Sequence, residues 1–402
     1  MRRLEYPDDI AALKAEYKSI FPKTMLQKMQ KAWVPLRDEL RLLDGNRAES
    51  DRLYPSDIET ILVADYDLLV DMFVNYHGLR KQTGFAETLH KNLKSLFHYS
   101  GEEGGDIPAF QPEIAAFFMR HQKELKIDVC YYCELSYINS YGFSDTFRDF
   151  GLFLMKANRH QIELHVRRAD GKKLSEKTYE KILGLRKQVG VTADNIEKWF
   201  NDIFRQWLDG RDKSVEVKGR MRNHFDLDHF LPKSECPLVG LSLMNFVPCC
   251  SVCNEKLKGS DVLGGEKESD WGRVLKKVSP TSGLYDFDNT SKLMLLDNGH
   301  GWLKAQNHPD DYSLEFTSSD SDYQTEIIGE FHLEERYSYH KSEALRWHDL
   351  MNDYPASKIH EMAVALKGYK TEEELRNDIF QTEYFKNNVR CFDKLRRDIL
   401  GI

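Results

Sequence analysis

A chain of 402 residues is long enough for two to three domains, and with 41% apolar and 30% charged residues it can bury a core, which excludes a disordered chain. Its net charge of −8 excludes a globally basic nucleic-acid-binding surface, so any contact with a polyanion must be local. The start, Met1 to Asp8, carries no apolar core of signal-peptide length, and no run of about 18 apolar residues occurs anywhere; a cytoplasmic location and no membrane partner are expected.

In chain order, the first 125 residues read as mostly helical. Ser56-Asp57-Ile58-Glu59 forms a capping box ahead of Ile58, Ile61, Leu62, Leu69, Val70 and Phe73, with Gly78 as a stop. Gly101 to Pro108 reads as a loop. Lys156 to Lys187 holds ten Lys/Arg against four Asp/Glu, a basic insertion set within about 150–215. A helix is predicted from Asp194, with Trp199, Phe200, Ile203, Phe204, Trp207 and Leu208 as a core-facing stripe. Lys292 to Leu296 and Glu326 to Leu333 look like strands. Thr371-Glu372-Glu373-Glu374 then caps a helix, and Val389, Phe392, Leu395 and Ile399 mark a last amphipathic stretch. The expectation is a mainly helical α+β protein in three regions: helical 1–125, a metal-binding core 126–262 carrying the insertion, and a mixed, then helical 263–402.

Seven cysteines in a reducing compartment are poor disulfide candidates, so their spacing bears on metal binding. Two Cys-x-x-Cys pairs occur, Cys130/Cys133 and Cys250/Cys253. A pair two residues apart can bite one ion through a tight knuckle, and four thiolates suit a closed, structural, tetrahedral Zn²⁺. Cys249 is a near-equal alternative to Cys250. The bland reading is four unrelated buried thiols, as expected for Cys236 and Cys391.

Between and across the second pair run His224-Phe225-Asp226-Leu227-Asp228-His229-Phe230-Leu231-Pro232-Lys233 and Asn245-Phe246-Val247-Pro248-Cys249-Cys250-Ser251-Val252-Cys253-Asn254, with Lys258 four residues on. The order Asp-His-x-x-Pro, Asn, Cys-x-x-Cys-Asn-x-x-x-Lys resembles the HNH (His-Me finger) endonuclease family. Cys130 to Glu134 is similar to the zinc-ribbon HNH proteins of Septu-type anti-phage systems. The resemblance implies a ββα-metal core, DNA as substrate and a partner ATPase subunit. It also implies Asp228 and Asn254 as ligands of a catalytic Mg²⁺ or Mn²⁺, and Asn245 as the residue that ties the loop and orients the histidine.

The chemistry asks for these types independently. Phosphodiester hydrolysis needs a base, and an imidazole near its neutral point suits it, which makes His229 the candidate. A carboxylate and an amide oxygen suit a hard divalent cation. If the segment from Cys250 is helical, Asn254 and Lys258 share a face, so Lys258 is expected to touch phosphate. Asp226 and His224 alternate onto the Asp228 face of a strand, as supporting or merely solvated groups. The rival reading is a non-catalytic zinc-ribbon module that binds nucleic acid or a partner protein.

Overall fold

The computed structural model of the chain describes all residues except 8, 46, 101–108, 142–143, 160, 163–174, 201–214, 219–221, 300–303 and 388. Helices dominate, because apolar side chains recur at three- and four-residue steps. In Lys23–Asp44 the buried positions Met29, Trp33, Leu36 and Leu40 make one stripe, and the helix stops at Gly45, whose left-handed φ of 68° closes its end. Ile58–Leu62 is capped by Asp57, which accepts from the Glu59 N–H at 2.9 Å, one residue beyond the expected Ser56. Tyr66–Arg80 runs past Gly78, since Leu79 is buried in the core and holds the last turn helical.

The first region does not stand alone. The Tyr17 hydroxyl donates to the Leu241 carbonyl and the Ser242 hydroxyl to the Ile61 carbonyl, both at 2.8 Å, and Phe118 packs edge-on against Phe246. These contacts clamp the N-terminal helices onto a hairpin in which Asp226–His229 runs antiparallel to Phe246–Cys249, Asp228 opposite Val247 and His229 opposite Phe246. All four residues of the second strand are buried, so this strand shows none of the apolar/polar alternation of a half-exposed sheet.

A short wide helix, Val252–Lys258, follows the hairpin. The Gly259 N–H reaches the Asn254 carbonyl five residues back, at 2.9 Å, which makes its last turn π-type. The C-terminal region adds a hairpin, Ser291–Asp297 with Tyr312–Ser318, which covers the first expected strand. The second expected strand is helical: Gln324–Gly329 and Leu333–Tyr339 bury Ile327, Ile328 and Leu333, and the turn between them buries Phe331. A short apolar run fits a buried helix as well as a strand. The capping box at Thr371 forms, its hydroxyl and the Glu374 carboxylate exchanging bonds with each other's backbone N–H.

By packing, residues 1–139 and 223–402 make one unit and 140–222 a second. The second unit has its own core of Phe150, Phe153, Leu154, Ile162, Ile182 and Leu185 beside a strand pair, Ser144–Phe147 with Val215–Lys218. Within its basic stretch, Arg186 donates to the Leu154 and Ala157 carbonyls at 2.7 Å, Lys181 to the Trp199 carbonyl at 3.0 Å, and Arg159 pairs with Glu176 at 2.5 Å, so at least three of the ten cations serve the unit's own structure. Where a helix is expected from Asp194, Ile196–Phe200 is 3₁₀-helical with Trp199 half-exposed. Ile203, Phe204, Trp207 and Leu208 lie outside the described residues, as does the expected Gly101 to Pro108 loop.

Candidate functional site

The knuckle at Cys130 is shaped by its backbone. The Glu134 N–H bonds the Cys130 carbonyl at 2.9 Å, Glu134 turns left-handed at φ 51°, and the Leu135 N–H donates to the Cys133 sulfur at 3.4 Å. The second pair sits where the hairpin's outgoing strand turns into the following helix. The sulfurs of Cys130, Cys133, Cys250 and Cys253 lie within 4.8 Å of one another, a cluster that could bind a metal such as zinc. Cys249 is excluded from it: its thiol points back along the hairpin to the Asp226 carbonyl, 3.9 Å away. Hydrogen bonds, first from Cys130 and then from Cys133 and Cys253, hold the Cys250 thiol far below its ordinary range, while the Cys130 and Cys253 thiols are pushed up. The Arg336 guanidinium donates to the Cys253 sulfur at 3.4 Å and to the Phe331 carbonyl at 3.1 Å, bringing a positive charge to a cluster that carries negative charge when deprotonated.

Beside the cluster lies a cavity of about 520 Å³ whose walls include Asp226, Asp228, His229, Asn254, Lys233 and Tyr99. His229 ends its strand almost fully buried, its ring edge-on to Tyr99 at 5.0 Å and tilted against Phe246 at 4.8 Å. Its Nε2 lies 2.9 Å from the Gly240 carbonyl, so Nε2 carries the proton and Nδ1 is left as the acceptor. Burial, assisted by the Lys233 charge, pushes its pKa down to about 3, so the imidazole is neutral at physiological pH.

Asn245 is fully buried. Its Oδ1 accepts from the Leu231 N–H at 2.8 Å, and its Nδ2 donates to the Leu231 and Val239 carbonyls at 3.0 Å. One amide thereby ties both ends of the loop between the hairpin strands, including the segment that presents Gly240 to His229.

One expected placement changes. Lys258 does not reach outward: it is 1% exposed, and its ammonium donates to Asp228 Oδ1 at 3.2 Å and to the His229 carbonyl at 3.1 Å. The wide turn ending at Gly259 directs it at the strand, where a buried carboxylate needs a counterion. Asp228 and Asn254 line the same cavity with different hydrogen-bond partners. Asp228 Oδ2 accepts from the Tyr132 hydroxyl at 2.5 Å, while the Asn254 Nδ2 meets Asp226 Oδ2 at 3.3 Å.

Asp226, two residues before Asp228 on the same strand face, is thus the carboxylate beside Asn254. Burial raises its pKa despite that hydrogen bond, and the charges of Glu255, Cys250 and Asp228 add to the rise. His224 precedes the strand, is exposed and lines no part of the cavity. The period-two alternation around Asp228 already pointed to Asp226. Tyr132 gave no such signal, because 96 residues separate it from its partner. Compared with known proteins, the chain matches no family model, no curated protein and no solved structure.

Proposed function

We propose that the chain is a divalent-metal-dependent nuclease of the HNH type that hydrolyses DNA phosphodiester bonds, with a structural Zn²⁺ at the four cysteines and a role in anti-phage defence. One observation carries the reading: a hairpin and the helix after it bring Asp226, Asp228, His229 and Asn254 to a single cavity beside a four-cysteine cluster, in the sequence order that resembles that family.

His229 is the general base. Its Nε2–H is held by the Gly240 carbonyl, and Nδ1 accepts the proton of the attacking water. The burial that keeps the imidazole neutral also makes it a weak base, and the negative phosphate of a bound substrate would raise its basicity toward a useful range. Asn245 acts through this group as a positioning residue, since it fixes the loop that carries Gly240.

The donor set fits a hard cation. Asp226 has no ammonium of its own among the described residues, and each oxygen of Asp228 accepts a single hydrogen bond, which leaves lone pairs on both. Asp226, Asp228 and the Asn254 amide oxygen would hold Mg²⁺ or Mn²⁺, which supplies positive charge to the scissile phosphate and the leaving oxygen. Lys258 and Tyr132 orient Asp228 from behind.

The test is cleavage of supercoiled plasmid with Mg²⁺ or Mn²⁺, with and without EDTA, comparing wild type with His229→Ala. Wild type should nick or linearise the plasmid only with metal, and the variant should lose at least about 100-fold of that rate. Equal cleavage by both proteins removes His229 as base. No cleavage of duplex or single-stranded DNA by wild type overturns the nuclease reading.

A further inference from the structure

The site as described lacks a cation that faces substrate, because Lys258, placed by its spacing beside Asn254, is spent on Asp228 and the His229 carbonyl. Among the described residues lining the cavity, Lys233 is the only Lys or Arg. It follows Leu231 and Pro232, and Leu231 is pinned through both its N–H and its carbonyl by the Asn245 amide, so the backbone that carries Lys233 is fixed.

Its stem packs beside Gly240, where an added Cβ would come within 3.5 Å of the Lys233 Cβ. Its ammonium lies 4.9 Å from the centroid of Tyr99, the ring that packs edge-on against His229. Lysine and imidazole are therefore held by the same two residues, Gly240 and Tyr99.

Lys233 forms no ion pair and no hydrogen bond among the described residues, although it is part-buried. A half-desolvated ammonium whose nearest compensation is a ring face remains short of negative charge. Burial accordingly lowers its pKa, with the charge of Asp228 opposing the shift.

We propose that Lys233 binds the substrate, its ammonium contacting a non-bridging oxygen of the phosphodiester that enters the cavity. The assignment rests on the nuclease reading, and it makes the anionic backbone, rather than a base edge, the feature recognised at this point.

The test measures binding without turnover. Fluorescein-labelled 20-base-pair duplex DNA is titrated with His229→Ala and with His229→Ala/Lys233→Met, in Ca²⁺, across a series of salt concentrations. Met keeps the apolar stem, and Lys233→Gln and Lys233→Arg on the same background serve as second and third variants, with matched melting curves as the check on folding. The Met and Gln variants should bind about 5- to 10-fold more weakly and lose about one unit from the slope of log Kd against log salt, while Arg keeps both. A lysine that only packs on Tyr99 would leave that slope unchanged, and an unchanged slope in both neutral variants overturns the proposal.

Cleavage kinetics separate its failure from that of the parent reading. A plasmid-cleaving wild type with a dead His229→Ala and a fully active Lys233→Met removes Lys233 alone. A wild type that cleaves nothing removes the nuclease reading, while the salt slopes still decide whether Lys233 meets phosphate.

Discussion

His229 allows a sharp thermodynamic test, because its environment is nearly complete on paper. The ring is closed in by Tyr99 and Phe246, faces the charges of Lys233 and Lys258, and has the Gly240 carbonyl as its hydrogen-bond partner. Its pKa falls from an ordinary 6.5 to about 3 in the folded chain. Between those values the unfolded chain binds a proton that the folded chain refuses, so stability falls as pH drops below 6.5 and is fully present above it. At pH 5 the loss is about 2 kcal/mol, and at pH 7.5 it is close to zero. His229→Gln keeps a donor for Gly240 but cannot take the proton. Urea unfolding of wild type and variant, followed by Trp fluorescence at pH 7.5 and pH 5, should therefore show the difference between them move by about 2 kcal/mol in the variant's favour at the lower pH. All other titrating groups are common to both proteins and cancel. A difference that stays constant with pH would refute the argument that burial holds this imidazole neutral.

Three further outcomes follow from named contacts. Lys258→Met leaves the Asp228 carboxylate buried without its counterion and should cost about 3–5 kcal/mol in chemical denaturation, much of it recovered in Asp228→Asn/Lys258→Met; a single-variant cost below about 1 kcal/mol contradicts the buried pair. Asn245→Ala strips partners from the Leu231 N–H and from two carbonyls in a dry loop, and at about 1–3 kcal/mol for each orphaned group it should lower the melting temperature by several degrees at least; a shift under about 2 °C speaks against the tie. Cys250→Ser should abolish copurifying zinc measured by elemental analysis, whereas Cys249→Ser should retain it, and the reverse result reassigns the ligand.

The sequence made the four-cysteine cluster legible, because thiol spacing is a local property and only the pairing of two local units had to be inferred. The hairpin was only implied by the resemblance: Asp226 to His229 alternates along a strand, but Phe246 to Cys249 is buried throughout and carries no alternation to read. What was hidden was direction. Lys258 sits in a polar-looking run, Asn254 to Ser260, and helical spacing places it beside Asn254, but the wide last turn and the buried Asp228 turn it inward. Tyr132 was equally hidden, since the two residues inside a Cys-x-x-Cys knuckle have no preferred partner until the fold supplies one. Ile327 to Leu333 failed for a different reason, since a short apolar run has a burial preference but no period.

Tyr132 links the two halves of the site. It lies between Cys130 and Cys133, stacks on Phe331 at 4.5 Å and donates to Asp228, and the neighbouring Tyr131 N–H reaches the Pro248 carbonyl on the hairpin. The other oxygen of Asp228 is held by Lys258, from the helix Val252–Lys258 that carries Cys253. Both cysteine pairs therefore carry, within a few residues, a side chain that fixes the same carboxylate. Parting of the knuckles would therefore loosen Asp228. On the proposed function, a zinc-selective chelator used with Mg²⁺ in excess should abolish plasmid cleavage at concentrations where circular dichroism still reports a folded chain, and cleavage that survives zinc removal refutes the link.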